Sequence, residues 1–400
     1  MMENQAKVKR GFMQNFFASP WFFFLIILVL ALFIRLIVIF AFGGESYRGD
    51  AALYKERADN LLDGKVPYRD FIDPKPPLLL LTIAFWFFIT GSSSVLSIKI
   101  FFSLFDLICI AIGYFYLKDR VSNKFFLHIF LLMIALNPII FANSAYYGRH
   151  YILPATLLMI SLFTLKNGEE IKSAIIMGIA IMYTYLSALF LPPFLLNMKS
   201  KKSLIKYMTI TLTTVLVILS PFIYLAGEKY FDNTVLEHTE SGARGFSVWK
   251  IVSEISGITS LEYNIPFLIQ AIFLTIITAL FIFSCKFSLK KRGMFCLEVF
   301  TITFYLTFIL LNKHVLLQYF VIPAVFFPIL IILLKTDKIP FLKHMITFYL
   351  ASWVIFLVYR LEYEYFKEMP NFVLGGVIIY LAALIPLIFL LFSKELKDKK

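Results

Sequence analysis

The sequence predicts an all-α, multi-span membrane protein, and three observations carry that prediction. Of its 400 residues, 60% are hydrophobic, with a mean hydropathy of +0.82. A soluble domain is about half apolar and breaks its apolar runs with charges. Here the apolar residues form repeated stretches of about 18–25, the length that crosses a hydrocarbon core of about 30 Å. The stretches are continuous rather than alternating, so helices rather than a closed barrel satisfy the backbone.

Charge sorts the ends of these stretches. Lys and Arg number 38 against 25 Asp and Glu, a formal net charge of +13. The bases sit in short links between apolar runs, which is the positive-inside pattern rather than a nucleic-acid interface. Cys109, Cys285 and Cys296 lie in or beside apolar runs. They offer neither a disulfide framework nor a metal-ligand spacing.

Taken in order, Lys7, Lys9 and Arg10 place the N-terminus in the cytoplasm. The first span is Trp21 to Phe42, too long for a signal-peptide core and without a small-residue cleavage site. The polar stretch Glu45 to Leu81, ESYRGDAALYKERADNLLDGKVPYRDFIDPKPPLLLL, is then outside. It is far longer than the roughly 2–8 residues a helix connection takes. Within it, Leu53, Tyr54, Arg57, Ala58, Leu61 and Leu62 recur at helical spacing, with Gly64 as the stop. An amphipathic helix Asp50 to Leu62 on the membrane surface follows. VPYRDF is expected to run extended, because Pro67, Pro74, Pro76 and Pro77 forbid regular helix.

Leu78 to Thr90 is too short to span and suits an interfacial or re-entrant helix. With that segment outside, Val95 to Leu117 crosses inward and Lys118, Asp119, Arg120 and Lys124 are cytoplasmic. Phe125 to Ser144 goes out, and Tyr151 to Leu165 returns to Lys166 and Lys172. Ser173 to Leu186 and Ser187 to Met198 form a compressed hairpin, split near Tyr183-Thr184-Tyr185. Leu204 to Ala226 goes out to a second external loop, Gly227 to Asn264. Ile265 to Cys285, Met294 to Leu311, Val315 to Leu334, Phe341 to Tyr359 and Asn371 to Phe392 complete the chain. The sum is about twelve spans in a single domain, residues 1–400, with both termini cytoplasmic.

The cytoplasmic links hold no GxGxxG, no Walker motif and no DxD pair. Polar residues gather on the other face: Asp50, Lys75, Tyr146-Tyr147-Gly148-Arg149-His150, the loop with Glu237, His238, Glu240 and Arg244, then Lys313, His314, Gln318 and Tyr319. A transporter would instead show internal repeats and polar residues at the midplane. The alternative of a multi-span transporter or lipid-linked-sugar flippase is weaker on that ground. Within the membrane, Arg35, Lys99 and Asp106 are expected to pair helices, although intramembrane charges also mark functional sites.

These residues resemble a family. GDAALYKERADNLLDGKVPYRDFIDPKPPLLLL resembles the first external loop of the polytopic GT-C glycosyltransferases. NPIIFANSAYYGRHYILPATLLMISLFTLKNG resembles their second external motif, and NKHVLLQYFVIPAVF a later basic–QY–P motif of their mannosyltransferase branches. The resemblance is close over residues 21–194 and looser after that. The family usually carries an acidic residue where this chain has His150 or Tyr151. It implies a GT-C-like bundle that moves a hexose, mannose-like, from a polyprenyl-phosphate-linked donor to a glycan, lipid or protein acceptor. Transfer would occur on the external face of a prokaryotic plasma membrane, with inversion.

Chemistry assigns the roles this transfer needs. A carboxylate must take the acceptor's proton, and Asp50 is the candidate, though Asp also suits a helix N-cap. Cations must meet the departing phosphate; Lys75, Arg149, His150, Lys313 and His314 are the candidates. Tyr54, Tyr68, Asp73, Tyr147, Gln318, Tyr319, His238 and Arg244 are further candidates for lining the site. The expected partners are the lipid-linked donor, its acceptor and membrane lipids, with no nucleic acid. The sequence fixes no cofactor; external carboxylates could hold a divalent cation, but no ligand spacing argues for one.

Overall fold

The computed structural model describes residues 20–43, 49–121, 123–196, 198–236, 244–245, 247–258, 314–333, 338–361 and 372–391. Helix α1 (Pro20–Ile37) runs on into a π-helical turn at Val38–Gly43. The predicted surface helix is α2 (Gly49–Leu62), which buries Ala51, Tyr54 and Ala58 on one face. Helix α3 (Pro77–Thr90) has only 14 residues. Pro77 opens it at a position where its missing N–H has no partner to lose, and Gly91, at φ 63°, closes it.

Helix α4 (Val95–Leu117) starts where the Ser94 side chain accepts from the Ser97 N–H. The next span is less regular than expected. Helix α5 (Lys124–Ala135) stops before Asn137, which caps a single turn at Pro138–Phe141, and a π-helical turn at Ala142–Tyr146 follows. Pro138 removes one N–H, and the Asn137 side chain accepts the Ile139 N–H instead. Helices α6 (Ile152–Lys166) and α7 (Glu170–Ile181) come next. The predicted hairpin then breaks at Tyr183-Thr184 into a 3₁₀ turn, Tyr185–Phe190, and a short helix, Leu191–Leu196.

Helix α8 (Lys201–Ala226) leads to a short helix at Glu228–Phe231 and a π turn at Asp232–Leu236. Among the described residues the remaining α-helices are α9 (Val248–Ser256), α10 (Val321–Leu333), α11 (Lys338–Val358) and α12 (Phe372–Leu391). Among the described residues, five helical passages are long and apolar enough to cross a membrane: Trp21–Phe42, Val95–Leu117, Lys124–Tyr146, Lys201–Ala226 and Leu342–Leu361. The chain is an integral membrane protein. The predicted spans 265–285 and 294–311 lie outside the described residues, as do both charged termini.

One expectation is corrected. VPYRDF does not run extended: the Asp70 N–H donates to the Val66 carbonyl at 2.9 Å, and Tyr68 adopts φ 66°. Proline fixes only its own φ and favours the second position of a turn, while the Asp70 carboxylate holds the Val66 N–H at 2.8 Å. Among the described residues the fold is otherwise all-helical, with one two-residue pairing between distant segments. Arg244–Gly245 (β1) and His314–Val315 (β2) pair in parallel, Arg244 opposite His314 and Gly245 opposite Val315.

The two ends of the bundle are distinct. At one end the Lys118 ammonium sits 5.5 Å from the Trp21 ring centre, and Arg120 donates to Asn167 at 2.8 Å. At the other, α2 and the 66–76 turn meet the end of the α5 passage and the start of α6. Between them, Arg35 of α1 pairs with Asp106 of α4 at 2.7 Å, both fully buried. Ser144 donates to the same Asp106 oxygen at 2.5 Å. These intramembrane charges therefore tie α1, α4 and the π turn together, the pairing role expected of them.

Candidate active site

Gly148 sets the geometry. At φ +63° it turns the chain between Tyr147 and Arg149, and a Cβ there would stand 2.7 Å from Ala51 Cβ. The turn thus presses on the first helical turn of α2, where Asp50 sits. The Arg149 N–H donates to the Asn143 carbonyl at 2.7 Å, and its guanidinium stacks 4.5 Å from the Tyr147 ring centre. So held, Arg149 Nε donates to Asp50 Oδ2 at 2.8 Å across 99 residues of sequence. Asp50 is not the N-cap of α2; it lies in the first turn, where the helix dipole favours a carboxylate. Its side chain is 34% exposed against 8% for Arg149, so the carboxylate is the accessible member of the pair.

His150 is fully buried behind them, with its Nδ1 3.0 Å from the Tyr54 hydroxyl. Burial first, then the charges of Lys75 and Arg149, hold its pKa well below the usual histidine range. The ring is neutral at neutral pH and shares a hydrogen bond with Tyr54, whose own pKa is raised by burial and by Asp50. His150 therefore braces α2 and adds no positive charge. Tyr151 is buried beside it and hydrogen-bonded to Gln318 and Tyr319, with the Tyr151 and Tyr319 rings 5.6 Å apart.

Lys75 is half-buried, and its charge acts on both His150 and Tyr319. Its backbone is fixed from two sides. The Lys75 N–H donates to Asp73 Oδ1 at 3.0 Å, and its carbonyl accepts from the Tyr68 hydroxyl at 2.7 Å. Asp73, buried, is held by Arg57 at 3.0 Å. Asp73 and Tyr68 thus shape the turn that presents Lys75.

Asp50, Tyr54, Lys75, Arg149, His150, Gln318 and Tyr319 therefore belong to one connected set, and Tyr147 lies beneath Arg149. Arg244 and His314 are brought opposite each other at the level of the backbone. His238 and Lys313 lie outside the described residues. Sequence reasoning missed Asn233, which donates to the Tyr68 carbonyl at 2.7 Å, and Tyr183, whose hydroxyl meets Thr82 at 2.7 Å. Neither belongs to a motif. Just past Tyr319, a small apolar crevice is lined by Phe320, Pro323, Ala324, Phe348 and Ala351 among others.

Comparison with known proteins agrees with this architecture. Residues 75–311 match the model of glycosyltransferase family 87. The chain resembles the solved structure of ArnT from Cupriavidus metallidurans bound to undecaprenyl phosphate. That likeness has a TM-score of 0.50 and 13% identity, and covers 92% of this chain and 77% of that one. The apo state of the same protein gives a TM-score of 0.51 and 12% identity over 92% and 76%. The Archaeoglobus fulgidus oligosaccharyltransferase tethered to an acceptor peptide gives 0.42 and 13% over 94% and 55%. No curated protein matches.

Proposed function

The chain belongs to glycosyltransferase family 87, and from that premise we propose that it moves a mannose-like hexose from a polyprenyl-phosphate-linked donor, with inversion, to a glycan, lipid or protein acceptor at the outer face of the membrane. The observation that carries the proposal is the accessible Asp50 carboxylate paired with Arg149 at 2.8 Å, with the Lys75 turn on the same end of the bundle.

Such a pair is exchangeable. A donor phosphate arriving at Arg149 competes with Asp50 for the guanidinium, which can bind two phosphate oxygens at once. The freed carboxylate is then a base. The acceptor oxygen bonds to the anomeric carbon, the bond from that carbon to the phosphate oxygen breaks with its electron pair on the phosphate, and the hydroxyl proton passes to Asp50. Arg149 and Lys75 stabilise the departing charge. ArnT, solved with undecaprenyl phosphate, supports a lipid-phosphate carrier. A divalent cation is the alternative counter-charge: transfer that persists in EDTA leaves the role to the two side chains.

The test is transfer from a panel of polyprenyl-phosphate sugars by purified protein, beside Asp50→Asn. The variant is expected to lose about 100-fold or more; full activity in it overturns the base assignment. No transfer from any lipid-linked donor overturns the donor class. Orientation has its own check: Ser92→Cys, at an exposed position beside α3, should react with an impermeant thiol reagent added outside intact cells.

A further inference from the structure

Among the described residues Tyr68 is the one non-glycine with positive φ, at 66°. For an aromatic residue that conformation is strained, and it persists only where the surroundings over-determine it. They do. The Tyr68 ring is fully buried, 4.8 Å from the Tyr230 ring and 6.0 Å from that of Phe222. Its carbonyl accepts from Asn233 Nδ2 at 2.7 Å, and the neighbouring Arg69 carbonyl accepts from Lys229 at 3.4 Å. The Tyr230 hydroxyl is itself held 2.7 Å from that of Tyr185. Every one of these contacts comes from α8 or from the segments after α7 and α8, more than a hundred residues away. The strained residue then spends its hydroxyl on one acceptor, the Lys75 carbonyl.

We infer that Tyr68 is a positioning residue that couples the 228–236 segment to the Lys75 backbone and so fixes where the Lys75 ammonium meets the donor phosphate. This rests on Lys75 being a phosphate partner. The Lys75 peptide is clamped twice, by α2 through Arg57 and Asp73 and by the second loop through Tyr68. Removing one clamp frees a flexible side chain to sample positions away from the phosphate. Anything that engages the loop around Asn233 then changes donor affinity without touching the donor.

The experiment is a double-mutant cycle on the full chain, read as binding of undecaprenyl phosphate rather than as turnover. Tyr68→Phe keeps the buried ring and removes only the hydroxyl. It is expected to weaken binding about 3–10-fold, the range of one net hydrogen bond. Lys75→Met is expected to weaken it more. The decisive result is that Tyr68→Phe adds nothing in the Lys75→Met background, because no ammonium remains to be placed. Asn233→Ala releases Tyr68 from the other side and should show the same dependence on Lys75; it also reads the coupling if Tyr68→Phe fails to fold. Losses that multiply independently of Lys75, or unchanged binding by Tyr68→Phe, overturn the positioning role while leaving Lys75 in place. Unchanged binding by Lys75→Met overturns the phosphate assignment, and the coupling with it.

Discussion

Placing a methyl group at Gly148 tests how the site is assembled. Two costs follow for Gly148→Ala. Alanine in the left-handed region costs about 1–2 kcal/mol. The new Cβ also stands 2.7 Å from Ala51 Cβ and 3.2 Å from Lys99 Cγ, and overpacking of that kind costs about 1–3 kcal/mol. The sum, about 2–5 kcal/mol, is a large part of a net stability of about 5–15. Relief requires α2 to move away from the Tyr147–Arg149 turn, and that movement lengthens the 2.8 Å Asp50–Arg149 contact. A displacement of about 1 Å costs about 100-fold in rate. Thermal unfolding of the purified protein and initial rates of sugar transfer should therefore fall together. Ala51→Gly discriminates the two costs. Alone it costs about 0.5–1 kcal/mol as a glycine inside a helix. In the Gly148→Ala background it removes the nearest overlap and should restore stability and part of the rate, leaving the backbone cost. If the double variant is no better than the sum of the singles, close approach to α2 is not what requires glycine.

The other predictions concern the brace and the intramembrane pair. Arg35→Met and Asp106→Leu each leave a buried charge without its partner 2.7 Å away, a loss of about 3–5 kcal/mol. The double variant, with neither charge, should unfold at a higher temperature than either single. Neutral His150 makes stability depend on pH with a definite sign. Its folded pKa lies below the unfolded value of about 6.5, so its contribution is complete above that pH. Below it the unfolded chain binds a proton the folded chain does not, and stability falls by about 1.4 kcal/mol per unit until the folded pKa is reached. Melting curves between pH 7 and 5 should show that slope in the wild type and lose it in His150→Gln.

Much of the fold was legible because lipid imposes a simple rule on length. Val95 to Leu117 reads as a span from its apolar run alone and has those bounds. The shortness of Leu78 to Thr90 and the helical spacing after Asp50 predict α3 and α2 within a residue. The resemblance in the first loop pointed to the family that the match over residues 75–311 shows. The match starts at Lys75, however; Asp50 is read from the first loop, and geometry joins it to the matched residues by way of a glycine 98 positions later. What periodicity cannot show is a contact made by one backbone angle. Gly148 between Tyr147 and Arg149 was a visible sign of a turn, yet nothing local says that it faces Ala51.

The Lys75 turn shows why the remainder stayed hidden. Prolines at 67, 74, 76 and 77 announce that the segment is not helical, and they leave open which non-helical path it takes. The choice is made by groups that have no reason to be polar or aromatic on their own account: Phe222 near the end of α8, and Tyr230 and Asn233 just past it. A tyrosine in the left-handed region is unfavourable in the isolated loop. It becomes the lowest arrangement only after the second loop supplies an amide for its carbonyl and rings for its face. The direction of dependence is therefore from the second loop to the first: the Lys75 turn takes its path from groups more than a hundred residues further along the chain.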